Sequence, residues 1–502
     1  MASQSPLADF DTRMHELKDL SGVVGILSWD QETFMPPKAG EPRAHQLSTM
    51  QGLYHEKLTD PALGASLDAL ESAGHLTDEQ RAMVSNVKWE RDRAVKVPAR
   101  LVRELAEEQS RSVEAWRTAR TRKDFGAFRP HLETLIRLRR EQADALGHGG
   151  ERYDALLDGF EPGMKAERLA PLFERLREKL VPLVQAIVDS GRRPKDPLAG
   201  RAFDPARQWD FTMRLLKDLG FDLEAGRQDR STHPFTGGAG HPLDVRLTTR
   251  LEPTLPLSGV MSTIHECGHG LYEQGFDPAH ARTYLAQAPS FGLHESQSRF
   301  WENLIGRSRE FWAHYLPVMR EYFPSELQGV GLEEFWAHLN LVEPSLVRVE
   351  ADEVTYNLHI LARFELELAL MRGSLTAKDL PGAWNERYQK LLGVTPGDDS
   401  EGVMQDIHWA WGEFGYFPTY TIGNLYSAML LRRLIEERPQ TWDEVGRGEL
   451  SGVLEWLRTK IHRVGFLHSA EDLVEKVSGL RLTEEPFMAY LEGKYRSLYG
   501  LR

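Results

Sequence analysis

A short segment of the chain carries the residue types of a catalytic metal site. His265 and His269 are four residues apart, so on a helix their imidazoles share one face and can bind one zinc ion. Glu266, between them, can take a proton from a water bound to that ion. A catalytic zinc site also needs a third protein ligand and one open position. The segment therefore indicates metal-assisted hydrolysis, provided that its neighbours fold to support it.

The residues around the two histidines have the pattern of a helix. Apolar side chains recur at intervals of three and four residues, Ser258 is placed to cap the helix, and Gly275 is placed to end it. Gly268 and Gly270 each destabilise a helix by about 1 kcal/mol relative to alanine. We therefore expect another backbone, or a substrate, to approach closely there. Cys267 should point away from the metal and be a buried apolar residue.

The best candidate for the third ligand is Glu295, which follows the second histidine by 26 residues. A first helix that ends near Gly275, a connection and a second helix from Ser290 would bring Glu295 back to the motif. The adjacent His294 would then point away from the metal, towards a substrate. Glu302 is a competing ligand.

Glu273 is a second competitor, but it lies one helical turn beyond His269 on the same helix. It is therefore less able to complete a tetrahedron, and we expect it to be a solvated charge instead.

Six ordered segments resemble the carboxypeptidase Taq family of zinc metallocarboxypeptidases, along nearly the whole chain. Besides the histidine motif they are Ser-Trp-Asp-Gln-Glu-Thr-Phe-Met-Pro-Pro at 28–37, His-Pro-Phe at 233–235, Asp-Val-Arg-Leu-Thr at 244–248, His-Glu-Ser-Gln at 294–297, Arg with Ala-Asp-Glu at 348–353, and Gly-Val-Met-Gln-Asp-Ile-His-Trp at 402–409. Six matches in the family's order are far more specific than one motif.

The resemblance implies a mainly helical fold with a deep central groove, similar to that of neurolysin and angiotensin-converting enzyme, with zinc at the floor of the groove. It also implies a homodimer. The activity that it implies is removal of single residues from peptide C-termini, with broad side-chain tolerance and poor cleavage when proline is next to the scissile bond.

We interpret residues 1–502 as one catalytic domain, with two helical lobes that flank the groove. A chain of 502 residues with 41% hydrophobic content can bury a large core. The clusters rich in proline and glycine at 35–42, 191–205 and 236–242 are short, so we interpret them as loops within one domain.

Amphipathic helices and one strand are predicted around the motif. Residues 99–146 carry periodic leucines and aromatic residues among many charges, which indicates helices with a buried face. Residues 243–251 alternate apolar and polar side chains, which indicates a strand. The resulting small sheet beside the zinc helix would offer an edge to an extended peptide, or be an ordinary hairpin.

Charge and cysteine content exclude several classes of partner. With 61 basic and 75 acidic side chains the net charge is −14, which disfavours nucleic acid and anionic lipid. The first 30 residues contain five acidic side chains and no apolar run of signal length, and no apolar stretch is long enough to span a membrane. The single cysteine agrees with a reducing compartment. We therefore expect a cytoplasmic protein.

Peptide hydrolysis also needs a donor to the oxyanion that forms at the scissile carbonyl. Tyr420 is the first candidate, because a phenol donates a hydrogen bond without adding charge, and His408 is the second. Tyr416 and Tyr426 lie in the same aromatic stretch and are alternatives to Tyr420. Glu266 would return the proton to the leaving amine.

An enzyme that cuts from the C-terminus must recognise a free carboxylate, which an arginine does with paired donors. Arg348 and Arg246 are the candidates, and His294 could also face the substrate. The structural alternative is that nearby Asp244, Asp352 or Glu353 pairs with these arginines.

Three functions compete at this point. A zinc carboxypeptidase is the first; cobalt or another divalent metal could replace the zinc, because imidazole and carboxylate ligands accept several metals. An oligopeptidase or dipeptidyl carboxypeptidase would use the same zinc site. A catalytically silent peptide-binding protein is hard to reconcile with an intact Glu266.

Overall fold

The computed structural model describes residues 5–501 and is mainly helical, with 66% of the chain in helices and one small sheet. This confirms the predicted fold class. In chain order the helices are α1 (Pro6–Thr33), α2 (Gly40–Thr59), α3 (Pro61–Glu71), α4 (Asp78–Lys96), α5 (Ala99–Arg122), α6 (Phe125–Leu146), α7 (Arg152–Leu157), α8 (Ala166–Asp189), α9 (Pro205–Leu219), α10 (Pro256–Gln274), α11 (Phe291–Arg299), α12 (Arg309–Tyr322), α13 (Leu332–Leu339), α14 (Tyr356–Arg372), α15 (Leu380–Leu392), α16 (Pro418–Glu437), α17 (Thr441–Gly446), α18 (Ser451–Lys460), α19 (Ala470–Ser478) and α20 (Glu485–Tyr499).

Two apolar cores hold these helices together. The larger core draws on helices from α5 to α20. The smaller core joins α1 to α4 and is completed by Tyr284 and Leu285 from the connection after α10. The leucines and aromatic residues that predicted amphipathic helices over residues 99–146 are buried in α5 and α6, apart from the partly buried Val113. That prediction is confirmed.

The sheet has three strands, β1 (Gly226–Arg230), β2 (Thr236–His241) and β3 (Asp244–Thr249), in the order β1-β3-β2. β3 is the strand that the alternating pattern predicts, and it lies in the middle. It pairs in parallel with β1, with Gly226 opposite Val245, and antiparallel with β2, with Thr236 opposite Leu247. Strand β3 therefore has no free edge.

The prediction of a loop at 236–242 is wrong, because most of this segment is β2. Glycines of α1 allow the helix to approach this strand closely: a side chain at Gly22 or Gly25 would collide with the carbonyl oxygens of Ala239 and Gly238 in β2. Gly238 also has φ +136°, which other residues rarely adopt. The two glycines of α1 are thus needed for packing the helix onto the strand, while at Gly238 an added side chain would meet the Asp244 carbonyl oxygen of β3.

The histidine motif lies on α10, as predicted, but the helix begins earlier than Ser258. Pro256 occupies its first position, where a fixed φ and a missing N–H cost nothing, and no side chain caps it. The helix ends before Gly275, as predicted. Cys267 is fully buried, which confirms its interpretation as an apolar residue.

Helix α10 packs closely on α11, which carries Glu295. A side chain at Gly268 would come within 2.6 Å of the Gln297 carbonyl oxygen, so the predicted backbone contact is confirmed. At Gly270 the neighbours are side chains of Leu247 and Phe221. As predicted, Ser290 caps α11, its hydroxyl accepting from Leu293 N at 3.0 Å.

Helix α11 continues directly into a π-helical segment, Phe300–Ile305. The backbone hydrogen bonds of such a segment span one residue more than those of an α-helix, which makes the helix wider. These segments often occur at functional sites. Among residues 5–501, no helix is both long and apolar enough to cross a membrane.

Candidate metal centre

Three side chains from α10 and α11 converge as a possible metal site. His265, His269 and Glu295 each offer one ligand atom, and these atoms lie within 4.8 Å of one another. The Oε2 atom of Glu295 is 3.7 Å from His265 Nε2 and 3.4 Å from His269 Nε2. The spacing of four along α10 and the return through α11 bring them together, as the sequence predicts.

These distances fit a metal ion. Ligand atoms about 2.0–2.2 Å from a zinc ion at tetrahedral angles lie about 3.3–3.6 Å apart, close to the separations between Glu295 and the two imidazoles. The side chains are 10–18% exposed, so most of the site is shielded from solvent. Two imidazoles and a carboxylate are also a donor set that catalytic zinc uses. The residues present therefore fit a metal ion with an open position.

Glu302, the competing ligand, supports His265 instead. Its Oε2 lies 2.8 Å from His265 Nδ1, so the other nitrogen of the ring, Nε2, is free for the metal. Arg299 contacts both carboxylates: Nε donates to Glu295 Oε1 at 2.7 Å, and Nη1 donates to Glu302 Oε2 at 3.3 Å. Burial opposes the ionisation of both glutamates, but Arg299 and the neighbouring histidines and Arg307 together outweigh it and hold the pKa of Glu295 well below its usual range and that of Glu302 at about 2.

The second histidine is supported by stacking. The ring of His269 lies 4.5 Å from that of His294, with 22° between the planes. Burial, and then the neighbouring His294, lower the pKa of His269 to about 3, so the ring is neutral as a metal ligand must be. His294 Nε2 is 3.2 Å from Glu273 Oε1. Glu273 is only 22% exposed and paired, so its prediction as a solvated charge is wrong.

Glu266 is buried beside the metal ligands and is held by the sheet. Its Oε2 accepts a hydrogen bond from Thr236 Oγ1, at the start of β2, at 2.7 Å. Burial raises the pKa of Glu266, although His265 and Thr236 partly oppose this. The carboxylate is therefore more basic than an exposed glutamate, which suits a proton acceptor. Thr236 was not predicted, because it lies in the segment predicted as a loop.

Tyr420, His408 and Arg348 form one cluster. Tyr420 Oη is 3.3 Å from His408 Nε2, and the guanidinium of Arg348 lies 5.0 Å from the centre of the Tyr420 ring. Burial lowers the pKa of His408 to about 3, so this ring is neutral. Burial raises the pKa of Tyr420, and the neighbouring Tyr416, Tyr356 and Glu295 raise it further.

The partner of Arg348 is Asp406, which sequence analysis did not identify. Arg348 donates to Asp406 Oδ1 from Nε at 3.0 Å and from Nη2 at 2.8 Å. Asp406 also binds Arg363, which is fully buried. The alternative pairing of Arg348 with Asp352 or Glu353 is wrong: Asp352 accepts hydrogen bonds from the start of α14, and Glu353 pairs with C-terminal side chains such as Tyr495.

Tyr356 joins the Arg348 cluster to the metal ligands. Its hydroxyl accepts from Arg348 Nη1 at 2.9 Å, and the guanidinium of Arg299 lies 4.6 Å from the centre of its ring. Neither Tyr356 nor Arg299 has a spacing that marks it among the 14 tyrosines and 61 basic side chains, so neither was predicted.

Arg246 has separate contacts. It donates to both oxygens of Asp244, at 2.7 and 2.9 Å, and its guanidinium lies 4.5 Å from the ring of Trp29. The structural alternative, pairing with Asp244, is therefore confirmed for Arg246. None of the contacts described for it reaches the cluster of Tyr420, His408 and Arg348.

Comparison with known proteins identifies the family. A family model of carboxypeptidase Taq (M32) metallopeptidases matches residues 9–495. The chain is 46% identical to thermostable carboxypeptidase 1 of Thermus thermophilus, over 96% of each chain, and 36% identical to carboxypeptidase 1 of Bacillus subtilis, over 98% of each chain.

Solved structures agree with the sequence comparison. An M32 carboxypeptidase from Deinococcus radiodurans superimposes with a TM-score of 0.96 at 40% identity, covering 99% of this chain and 100% of the other. A carboxypeptidase from Pyrococcus furiosus gives 0.96 at 36% identity, covering 98% and 99%. The predicted resemblance is confirmed: the chain belongs to the carboxypeptidase Taq (M32) family and is a metallocarboxypeptidase, a hydrolase of peptide bonds.

Proposed function

We propose that this metallocarboxypeptidase uses zinc to release single amino acids from the C-termini of peptides, with broad side-chain tolerance and poor cleavage when proline is next to the scissile bond. The observation that carries the proposal is the convergence of His265, His269 and Glu295 beside the buried carboxylate of Glu266. The preference against proline follows from the family resemblance alone.

In this proposal His265, His269 and Glu295 hold the metal. A zinc ion held there would polarise the scissile carbonyl and lower the pKa of a bound water to near neutrality. Cobalt or another divalent ion could replace zinc with the same three ligands.

Glu266 is the proton carrier of the proposed reaction. Because Thr236 fixes Oε2, Oε1 is the oxygen that accepts the proton of the attacking water. Burial makes the carboxylate basic enough to hold that proton and then pass it to the leaving amine. General acid–base catalysis of this kind contributes about 10²- to 10⁴-fold to the rate.

Tyr420 is our proposed donor to the oxyanion, with His408 beside it as the second candidate. His408 is neutral, so one of its ring nitrogens accepts and the other donates. If the Tyr420 hydroxyl accepts from His408 Nε2, its own hydrogen is free for the oxyanion. Removal of a single oxyanion donor costs about 10²- to 10³-fold in the chemical step of other hydrolases.

Arg348 is our proposed recognition residue for the substrate carboxylate, and charge supports this choice. Arg348 and Arg363 share the single carboxylate of Asp406, so these three groups carry one net positive charge. Arg363 has no exposed surface and Arg348 retains 6%, so we propose that Arg348 is the member that meets a substrate. Arg246 remains the alternative, although Asp244 neutralises it. His294 is a further candidate for contact with the substrate.

The remaining proposals concern organisation and partners. We propose that residues 1–502 act as one catalytic domain, that the protein is a homodimer, as its family resemblance implies, and that it acts on peptides in the cytoplasm. The net charge of −14 disfavours binding to nucleic acid or an anionic membrane.

Mass spectrometry of two peptides tests the function. An N-acetylated peptide with a free C-terminus and its C-amidated twin are incubated with the zinc-loaded protein, with a chelator as control. Stepwise loss of single residues from the free acid only, stopped by the chelator, is expected. Internal cuts or release of dipeptides would instead indicate an oligopeptidase or a dipeptidyl carboxypeptidase. No cleavage of either peptide would favour a silent peptide-binding protein.

A further inference from the structure

The two carboxylate oxygens of Glu295 have different partners. Oε2 faces both histidines, at 3.7 and 3.4 Å from their Nε2 atoms. Oε1 instead accepts a hydrogen bond from Arg299 Nε at 2.7 Å. The carboxylate thus presents one oxygen to the metal position, while the other is held by a charged donor.

Arg299 also reaches a second ligand through Glu302. Its Nη1 donates to Glu302 Oε2 at 3.3 Å, and the same oxygen lies 2.8 Å from His265 Nδ1. One guanidinium therefore contacts a metal ligand directly and a second one through a single carboxylate. The planar fork of arginine makes both contacts at once, which the single ammonium of lysine cannot reproduce.

Arg299 itself is held in place by the two glutamates on one side and by an aromatic ring on the other. Its side chain is 14% exposed, and the ring of Tyr356 covers the guanidinium at 4.6 Å.

A second arginine also contacts Glu302: Arg307 Nη2 approaches its other oxygen, Oε1, at 3.4 Å. Because Arg307 shares Glu302 but not Glu295, it offers a comparison that separates the two contacts of Arg299.

We propose that Arg299 is a positioning residue that makes Glu295 bind the metal through one oxygen, which keeps a coordination position open for water and substrate. Without the bond to Oε1, the carboxylate can rotate and offer both oxygens to the metal. The open position of a catalytic site would then be partly taken by the protein. Outer partners of metal ligands commonly change metal affinity by about 10- to 100-fold. The proposal rests on the ligand set proposed above.

Cobalt serves as the probe, because four-coordinate Co²⁺ absorbs visible light far more strongly than six-coordinate Co²⁺. Arg299→Met removes the charge and the donors at similar length, and Arg299→Lys keeps the charge without the fork. Arg307→Met is the matched control. The protein and each variant are loaded with Co²⁺, and the visible spectrum and the Co²⁺ affinity in competition with a chelator are measured.

We expect a weaker visible band and about 10- to 100-fold lower Co²⁺ affinity for Arg299→Met, and the same spectral change for Arg299→Lys. Arg307→Met should keep the spectrum of the unaltered protein. If Arg299→Met does not fold, as circular dichroism would show, Arg299→Lys decides alone. An unchanged spectrum in the variant that folds, or equal changes in the Arg299 and Arg307 variants, would overturn the positioning role. If the unaltered protein bound no Co²⁺ at one ion per chain, the ligand set itself would fail.

Discussion

The hydroxyl of Thr236 donates to Glu266 Oε2 at 2.7 Å and thereby connects the first residue of β2 to the proposed proton carrier. A hydrogen bond to a carboxylate stabilises the ionised form and lowers its pKa. This bond opposes the burial that raises the pKa of Glu266. The sheet therefore has a chemical effect on the site as well as a structural one.

Thr236→Val should shift the acidic limb of the pH profile. Loss of the hydroxyl removes a hydrogen bond that lowers the pKa of Glu266, so the fall of kcat/KM at low pH should move to higher pH. Thr236→Ser, which keeps the hydroxyl, should restore the original profile. Equal profiles for the valine variant and the unaltered protein would exclude a role of this bond in catalysis.

Glu266→Gln should abolish turnover and leave metal binding intact. The amide keeps the shape of the side chain but cannot accept the proton of the attacking water, so kcat should fall about 10²- to 10⁴-fold. Kinetics and the metal content by atomic absorption are measured on the same sample. Substantial activity with full metal content would show that another group carries the proton.

Arg348→Ala should weaken recognition of a free C-terminus. We expect a loss of about 2 to 5 kcal/mol in transition-state binding for a peptide acid. The amidated twin should be affected much less, so the discrimination between acid and amide falls. Arg246→Ala is the comparison, and it should retain discrimination. If Arg246→Ala lost the discrimination and Arg348→Ala retained it, Arg246 would be the residue that binds the substrate carboxylate.

Glu161 should make the protein less stable as the pH rises. It is 2% exposed, and burial raises its pKa to about 8, although a hydrogen bond from Gly292 N partly opposes this. Below pH about 4.5 the side chain is protonated both folded and unfolded, and this group causes no slope. Between about 4.5 and 8 only the unfolded chain releases the proton, so the free energy of unfolding falls by about 1.4 kcal/mol per pH unit.

Glu161→Gln removes this titration and keeps the shape of the side chain. Denaturant unfolding of the variant and the unaltered protein is compared between pH 5 and 9. The stability of the variant relative to the unaltered protein should rise up to pH about 8 and then level off. Glu56→Gln, at an exposed position on α2, should show a constant difference. A constant difference for Glu161→Gln as well would mean that Glu161 is ionised in the folded protein.

Gly268→Ala should separate the two helices that carry the metal ligands. Its new methyl group would lie 2.6 Å from both the Gln297 carbonyl oxygen and the Ser298 Cα, so the backbones must move apart at a cost of about 1 to 3 kcal/mol. Thermal unfolding and zinc affinity should both fall. Gly493→Ala, in α20, where the new group would meet nothing within 4 Å beyond its chain neighbours and the backbone of its own helix, should not destabilise the protein. Unchanged zinc affinity for Gly268→Ala would show that the helices tolerate the shift.

Local patterns predicted the centre of the site better than its surroundings. The spacing of His265 and His269 fixes their relation on one helix turn, and Ser290 marks the start of the helix that returns Glu295. The start of α10 was predicted three residues late, because Ser258 was predicted to be the cap, whereas the cap position is Leu255 and Pro256 is the first helical residue. A capping serine and a proline at the first position are both local signals for the start of a helix, and in α10 it is the proline that marks the start.

Longer-range relations were not predictable in the same way. Asp406 lies 58 residues from its partner Arg348, and nothing in the sequence favours it over the nearer Asp352. Strand β2 was interpreted as a loop because its glycines are typical of turns, whereas its packing against α1 depends on Gly22 and Gly25 of that helix. The π-helical segment that brings Glu302 to His265 depends on packing that no spacing rule describes.

Tyr356 separates two charged groups by the length of one rigid phenol. Arg299, beside the metal ligands, covers its ring, and Arg348 binds its hydroxyl. If Arg348 binds the terminal carboxylate as proposed, this ring is a spacer between the carboxylate of the substrate and its scissile bond at the metal site. Because the ring is rigid, it fixes a single distance between the terminal carboxylate and the scissile bond. The number of residues released per cut would then be set by a side chain that takes no part in the chemistry.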